Sequence, residues 1–156
     1  MAKPSFIFFL THWIIKDFKR FRLLFYEIFR LGVDLDNKKA VYWFSKAAEN
    51  DFVWSFHSLG ILYRDGTGVA QDYEMAISWF RRAAERGYTA SIKNLVAVYL
   101  MTQDYAEAVK WLRQTADQGD ADAQYGLGLM YAEGKGVTQD YTMAVEWFEK
   151  AADQGN

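Results

Sequence analysis

Two stretches of this chain repeat nearly the same sequence. Residues 66–84 read GTGVAQDYEMAISWFRRAA, and residues 134–152 read GKGVTQDYTMAVEWFEKAA. Repetition at a fixed spacing is typical of proteins in which similar structural units stack, so that each unit contacts only its neighbours. This feature restricts the fold more than any other, because the rest of the chain is then expected to supply further units of the same kind.

A shortened unit lies between the two copies, and a weaker one precedes them. The shortened unit reads TQDYAEAVKWLRQTADQG over residues 102–119 and has no counterpart of residues 66–69. In the weak unit, residues such as Gly32, Asp36 and Trp43 precede their counterparts by 36 positions. The sequence therefore predicts one solenoid domain. An apolar N-terminal segment forms residues 1–15, and four units follow at residues 16–51 (the weak unit), 52–87, 88–119 (the shortened unit) and 120–155.

Each unit is predicted to contain two helices joined by a turn. Apolar residues recur at helical spacing on both sides of the glycine pairs at residues 66–68 and 134–136. Glycine suits a turn that needs a positive φ angle. Asp72, Asp104 and Asp140 stand where a side-chain oxygen can accept the free amides of a second helix. Pro4 is the single proline, so nothing later in the chain interrupts helices.

The pattern LGxxYxxGxGVxxDYxxAxxWFxxAAxxG resembles the Sel-one-like repeat, a relative of the tetratricopeptide repeat with a longer inter-helix turn. The resemblance covers residues 52–155 well and residues 16–51 weakly. It implies an all-α, right-handed α-solenoid that serves as a non-catalytic scaffold or adaptor for protein complexes, often in bacteria. The shortened unit lacks GxGV, which predicts a tighter turn there and a local irregularity.

The resemblance also implies that the first helix of each unit lines the concave surface and binds a protein or peptide partner. On that helix, the face away from the core stripe predicts a partner-binding set: Trp54, His57 and Ile61 in the first clear unit, Ala90, Lys93 and Ala97 in the second, and Asp122, Tyr125 and Leu129 in the third. Trp54 is either an exposed anchor for the partner or a core residue covered by the N-terminal helix. The sequence leaves both alternatives open.

Composition excludes several classes of function. The chain has 18 basic and 20 acidic residues, which gives no general attraction to nucleic acid. It has no cysteine, which excludes disulfides, thiolate metal sites and a cysteine nucleophile. His12 and His57 lie in unrelated contexts, and no catalytic, cofactor or metal motif is found. We expect that this chain is not an enzyme. The alternative is a ligand binder or enzyme like the cysteine-rich relatives associated with β-lactams, although this chain lacks their cysteines.

The two ends of the chain lead to separate expectations. The apolar run at residues 6–15 is half the length of about 20 residues that a membrane-spanning helix needs. We expect the N-terminal segment to cap the first repeat in a cytoplasmic protein; the alternative is a membrane-surface or exported segment. The last helix, at residues 141–153, is expected to lack the polar cap of a terminal repeat. We expect it to self-associate or to fray, and we expect the chain to be a fragment of a longer array.

Overall fold

The computed structural model describes residues 37–154, which belong to a compact unit that begins at Asn37. Within that range the chain forms helices and no strand, which confirms the predicted all-α class. The helices are α1 (Asn37–Glu49), α2 (Val53–Asp65), α3 (Tyr73–Glu85), α4 (Ala90–Met101), α5 (Tyr105–Ala116), α6 (Ala121–Glu133) and α7 (Tyr141–Ala152). The expectations for residues 1–15 and for the first helix of the weak unit lie outside the described residues.

The described helices stack in chain order. Each one from α1 to α6 packs extensively on the helix that follows it. Leu59, Leu95 and Leu127 occupy the same position in α2, α4 and α6, and all three are fully buried. A core built mainly from sequential neighbours is the arrangement expected of stacked repeats, because no unit can bury its apolar faces alone.

The glycine-containing turns connect adjacent units as well as adjacent helices. Gly66 and Gly134 end α2 and α6 with φ angles of 68° and 66°. A Cβ atom on Gly68 would lie 2.3 Å from the backbone oxygen of Asn37, at the start of α1. A Cβ atom on Gly136 would lie 2.3 Å from the backbone oxygen of Tyr105, at the start of α5. Only glycine fits these two sites, because the turn of one unit rests on the helix of the unit before it.

The turn between α4 and α5 is tighter, as the sequence predicts. It consists of residues 102–104, whereas residues 66–72 and 134–140 make the corresponding turns in the other units. Gln103 takes the left-handed conformation there, with φ at 61°. Asp104 then caps α5 by accepting the amide of Glu107, as Asp72 and Asp140 cap α3 and α7. The shortening therefore changes the turn and preserves the start of the next helix.

Glycine and phenylalanine set the distance between the two helices of a unit. A Cβ atom on Gly60 would lie 2.5 Å from the ring of Phe80, and one on Gly128 would lie 2.6 Å from the ring of Phe148. The shortened unit has Val96 and Leu112 at the equivalent positions, and both are buried. A larger residue on one helix thus accompanies a smaller residue on the other, which conserves the volume of the contact.

This exchange predicts the behaviour of substitutions in the last unit. Gly128→Ala should lower the free energy of unfolding by up to about 2 kcal/mol, because the cost of overpacking, about 1–3 kcal/mol, is offset by a gain in helix propensity of only about 1 kcal/mol. Adding Phe148→Leu should recover part of the loss, with a coupling energy of at least about 1 kcal/mol in a double-mutant cycle measured by urea unfolding. Additive effects would show that the methyl group does not meet the ring.

Candidate functional site

The first helices of the three clear units lie side by side and are joined by polar side chains. His57 Nδ1 on α2 lies 2.9 Å from Ser91 Oγ on α4. Arg64 on α2 donates to the side-chain oxygen of Asn94 on α4. Lys93 Nζ on α4 lies 2.6 Å from Asp122 Oδ2 on α6. The side chains predicted to bind a partner therefore belong to one layer of the stack.

A cavity of about 270 Å³ opens between α4 and α6, and we call it the α4–α6 groove. Its floor includes Leu112 and Thr115, which come from α5 in the second layer. Aliphatic side chains predominate in a lining made by Ile92, Lys93, Val96, Leu100, Leu112, Thr115, Asp120, Asp122, Ala123, Gly126, Leu129 and Met130. The groove therefore combines an apolar floor with a few charged groups at its edge.

Gly126 contributes to the space because it has no side chain. A Cβ atom on Gly126 would lie 3.0 Å from Leu112 Cδ2, in the floor. The corresponding positions of α2 and α4 carry Ser58 and Asn94, so a side chain is present there in the other units. Gly126 lies inside α6 and does not end a helix, so a turn conformation does not explain it.

The edge of the groove carries one cation between two carboxylates. Lys93 Nζ lies 2.6 Å from Asp122 and 3.8 Å from Asp120. The hydrogen bond to Asp122 raises the pKa of Lys93 and lowers the pKa of Asp122. With two acids and one base, this edge is weakly acidic. A second cavity, lined by Thr89, Ala90, Gln118 and Gly119, adjoins it and shares Lys93, Thr115 and Asp120.

The structure brings three of the predicted partner-binding residues together around this groove: Lys93, Asp122 and Leu129. Ala97 is exposed on α4 but is not part of the lining. Tyr125 is also exposed, and its ring packs on Phe148 of α7 with 5.3 Å between ring centroids. The predicted face of α4 and α6 is therefore divided between the groove and the surface beside it.

The predicted residues of α2 lie apart from the groove. Trp54 is partly buried and meets Phe44 of α1 edge to face, with 5.1 Å between ring centroids. Ile61 is partly buried and packs against the core. The ring of His57 contacts the rings of Tyr88 and Phe80, with 4.9 and 5.6 Å between the respective centroids. These contacts give all three side chains a packing role in the first clear unit.

Sequence reasoning missed the apolar floor of the groove. Ile92, Val96 and Met130 are buried in the core cluster, so their periodicity marks them as structural residues. Leu112 belongs to a different helix, and a face-by-face reading of α4 and α6 does not include it. A signal was present at Gly126, where a glycine replaces the polar residue of the other units without any turn to require it.

The described residues carry no cluster suited to a metal ion, defined as three or more His, Cys, Asp or Glu side chains placed together. Among residues 37–154, no helix is both long and apolar enough to cross a membrane.

Comparisons with known proteins place the chain in a family. The sequence matches the Sel1 repeat over four segments, residues 24–52, 57–88, 98–120 and 121–156. The chain belongs to the Sel1 repeat family. Sel1 repeat proteins are in general non-catalytic scaffolds for protein interactions. The resemblance inferred from the sequence is thus confirmed.

Solved structures of Sel1 repeat proteins share the fold, which confirms the predicted α-solenoid. One is c5321, a protective antigen present in uropathogenic Escherichia coli strains that displays an SLR fold. It is 39% identical to this chain with a TM-score of 0.68, and the match covers 80% of this chain and 28% of c5321. Another is a Sel1 repeat protein from Oxalobacter formigenes, with 32% identity and a TM-score of 0.69 over 83% of this chain and 55% of that one. This chain therefore spans about a quarter and about half of these two proteins. No curated protein matched.

The environment of His57 predicts how the stability of this Sel1 array depends on pH. Burial lowers the pKa of His57, and the charge of Arg64 lowers it further. Because the pKa of His57 is lower in the folded chain, the unfolded chain binds the proton more readily. The neutral side chain therefore contributes fully to the free energy of unfolding above about pH 6.5, the ordinary pKa of histidine. This contribution is lost as the pH falls from there through the folded-state pKa. The melting temperature should fall as the pH drops below about 6.5, and it should fall less in His57→Gln. Equal slopes for the two proteins would contradict this assignment.

Proposed function

We propose that this Sel1 repeat chain is a non-catalytic scaffold that holds a segment of a partner protein in the α4–α6 groove. The observation that carries the proposal is an apolar cavity of about 270 Å³ between two first helices, edged by the Lys93–Asp122 ion pair. An apolar centre that excludes water, surrounded by polar groups, is the usual anatomy of a protein interface. The family's general role as a scaffold supports the same reading.

The size of the groove favours a side-chain anchor over a small molecule. Sites for drug-sized ligands usually have volumes of about 300–1,000 Å³, and they enclose most of the ligand. The α4–α6 groove is smaller than that range and lies open between two helices. Burying one large apolar side chain there would contribute about 1.5–3 kcal/mol to binding. The groove therefore suits a single leucine, methionine or phenylalanine that projects from the partner.

The charged edge favours a basic residue beside that anchor. Asp120 and Asp122 outnumber the single cation Lys93, and the side chains of Lys93 and Asp122 are largely exposed. An exposed ion pair is worth little to stability, so a partner's lysine or arginine can replace Lys93 at low cost. Charges at the edge of an interface act mainly on the association rate and its salt dependence. We therefore expect association to slow as ionic strength rises.

The absence of catalysis is part of the proposal. His57 is the sole histidine of the described range; it is half-buried, bound to Ser91 and not part of the groove lining. A general base needs an oriented partner and access to a substrate.

The cytoplasmic location stays a prediction, and liposome flotation of the full chain tests the membrane-associated alternative.

Filling the groove tests the proposal. Gly126→Leu places a side chain against Leu112 and should deplete captured partners by roughly 30-fold, which corresponds to a lost anchor worth about 2 kcal/mol. Ala106→Leu is the matched control, because it adds the same side chain at an exposed alanine of α5 that belongs neither to the lining nor to the predicted partner-binding set. The measurement is quantitative mass spectrometry of proteins captured from the source cells by each bait.

Three outcomes of this experiment are distinguishable. Partners retained by the native chain and Ala106→Leu but lost by Gly126→Leu support the groove. Partners retained by all three baits place the interface elsewhere. If the melting temperature falls steeply in Gly126→Leu, Lys93→Glu becomes the deciding variant, because it makes the edge of the groove more acidic without entering the core. Partner capture and salt dependence that are the same in Lys93→Glu as in the native chain would then contradict the proposal.

Trp54 provides a separate test of the α2 face. Because its ring packs on Phe44, Trp54→Ala should lower the free energy of unfolding by about 1–3 kcal/mol, as expected for a partly buried side chain. Partner capture should be preserved at temperatures where the variant is folded. Capture that is lost while the melting temperature stays the same would show instead that Trp54 is an anchor for the partner.

A further inference from the structure

Two polar side chains of α2 make the contact with α4. His57 Nδ1 lies 2.9 Å from Ser91 Oγ, and Arg64 donates to the side-chain oxygen of Asn94. Neither group on α4 carries a charge. Among the described helices, α2 packs extensively on α1 and α3 and not on α4. The joint between these two first helices therefore depends on its side chains.

The corresponding joint between α4 and α6 is made by paired charges. Lys93 occupies in α4 the position that His57 has in α2, 36 residues earlier. Its partners are Asp122 at 2.6 Å and Asp120 at 3.8 Å. Lysine and aspartate both keep their charges between about pH 5 and pH 8. The hydrogen bond between Lys93 and Asp122 also raises the pKa of the lysine and lowers that of the aspartate. This second joint is therefore the same throughout the range in which histidine titrates.

The surroundings of His57 favour the neutral imidazole. Its side chain is half-buried, and its ring contacts Phe80 of α3 and Tyr88 of the connection between α3 and α4. Its hydrogen-bond partner Ser91 is fully buried. Burying a charge is costly unless an opposite charge lies nearby. Burial is accordingly the main cause that lowers the pKa of His57.

The charged groups near His57 do not compensate for this burial. Arg64 lies on the same helix, and its positive charge lowers the pKa of His57 further. The carboxylate of Asp65 is engaged by Arg64, with 2.6 Å between Asp65 Oδ1 and Arg64 Nε. The contacts to the imidazole from α3, from the connection after it and from α4 are two aromatic rings and a hydroxyl group. A proton on His57 thus adds a second cation to a joint that has no acidic partner for it.

We propose that protonation of His57 releases α2 from α4, so that mild acid opens the joint between the first and second clear units while the joint between α4 and α6 stays closed. The imidazolium leaves its enclosed site for water, and the contact with Ser91 is lost with it. The α2–α4 joint is complete above about pH 6.5 and weakens as the pH falls through the folded-state pKa of His57. The response is local, in contrast to a loss of stability shared by every helix.

Linkage limits the size of the effect. A histidine with an ordinary pKa of about 6.5 when the joint is open, and with no proton when it is closed, changes the opening equilibrium by at most about tenfold between pH 7.5 and pH 5.5. Because His57 is only half-buried, we expect a change of about two- to tenfold.

Hydrogen exchange of the full chain, resolved by residue and corrected for the intrinsic effect of pH on exchange, tests the location of the opening. The protection factors of α2 should fall by about two- to tenfold from pH 7.5 to pH 5.5, and those of α6 should change by less than about twofold. His57→Gln keeps a polar side chain beside Ser91 and cannot bind a proton, so the protection of α2 should no longer depend on pH. His12→Gln is the matched control, because it removes the other histidine of the chain and should leave the effect unchanged.

A titration of the His57 ring protons by NMR, in the His12→Gln chain, tests the cause. The midpoint should lie below about pH 6.5. Arg64→Gln removes the neighbouring cation and keeps a donor for Asn94, so it should raise the midpoint and reduce the effect on the exchange of α2. A purely structural role of His57 would not move with the charge at position 64.

Three results would overturn the proposal. One is a loss of protection that is equal in α2 and α6, since the acid would then weaken the whole array. Another is a pH effect on α2 that persists in His57→Gln. The third is a midpoint for His57 at or above about pH 6.5. If His57→Gln lowers the melting temperature at pH 7.5, the exchange pattern and the titration of chains that retain His57 decide the question without it.

Discussion

The close approach of paired helices at Gly60 and Gly128 determines most of this structure. In each case the phenylalanine of the second helix occupies the space that a side chain on the first helix would fill. The contact fixes how near the two helices of a unit lie, and therefore where the next unit can stack. The shortened unit replaces the pair with Val96 and Leu112, and these two residues also line the α4–α6 groove. The unit that departs from the repeat is thus the one beside which the groove opens.

Much of the fold could be predicted because its determinants are local in the sequence. The aspartates at positions 72, 104 and 140 cap the second helices, and the glycines at positions 66 and 134 end the first helices, as their residue types require. The repeat then gives the order of stacking without any knowledge of distant contacts. Residues 102–104 form the tighter turn that the missing glycines predict.

The candidate site was less accessible to sequence reasoning, for a physical reason. Lys93, Asp122 and Leu129 were found because they lie on the predicted face of α4 and α6. The floor was not found, because Leu112 reaches the groove from another layer and because Gly126 acts by lacking a side chain. Trp54 shows a choice that periodicity leaves open, since a residue opposite one core stripe can still pack on a different neighbour, here Phe44.

The shortened turn has a mechanical consequence. Gly68 rests on the backbone of Asn37, and Gly136 rests on the backbone of Tyr105, so each of these turns ties its unit to the preceding one. The residues that would make the same tie on α3 are missing from the α4–α5 turn. The joint between the first and second clear units therefore lacks this backbone contact. It is held instead by the packing of α3 on α4 and by polar pairs between first helices such as His57–Ser91.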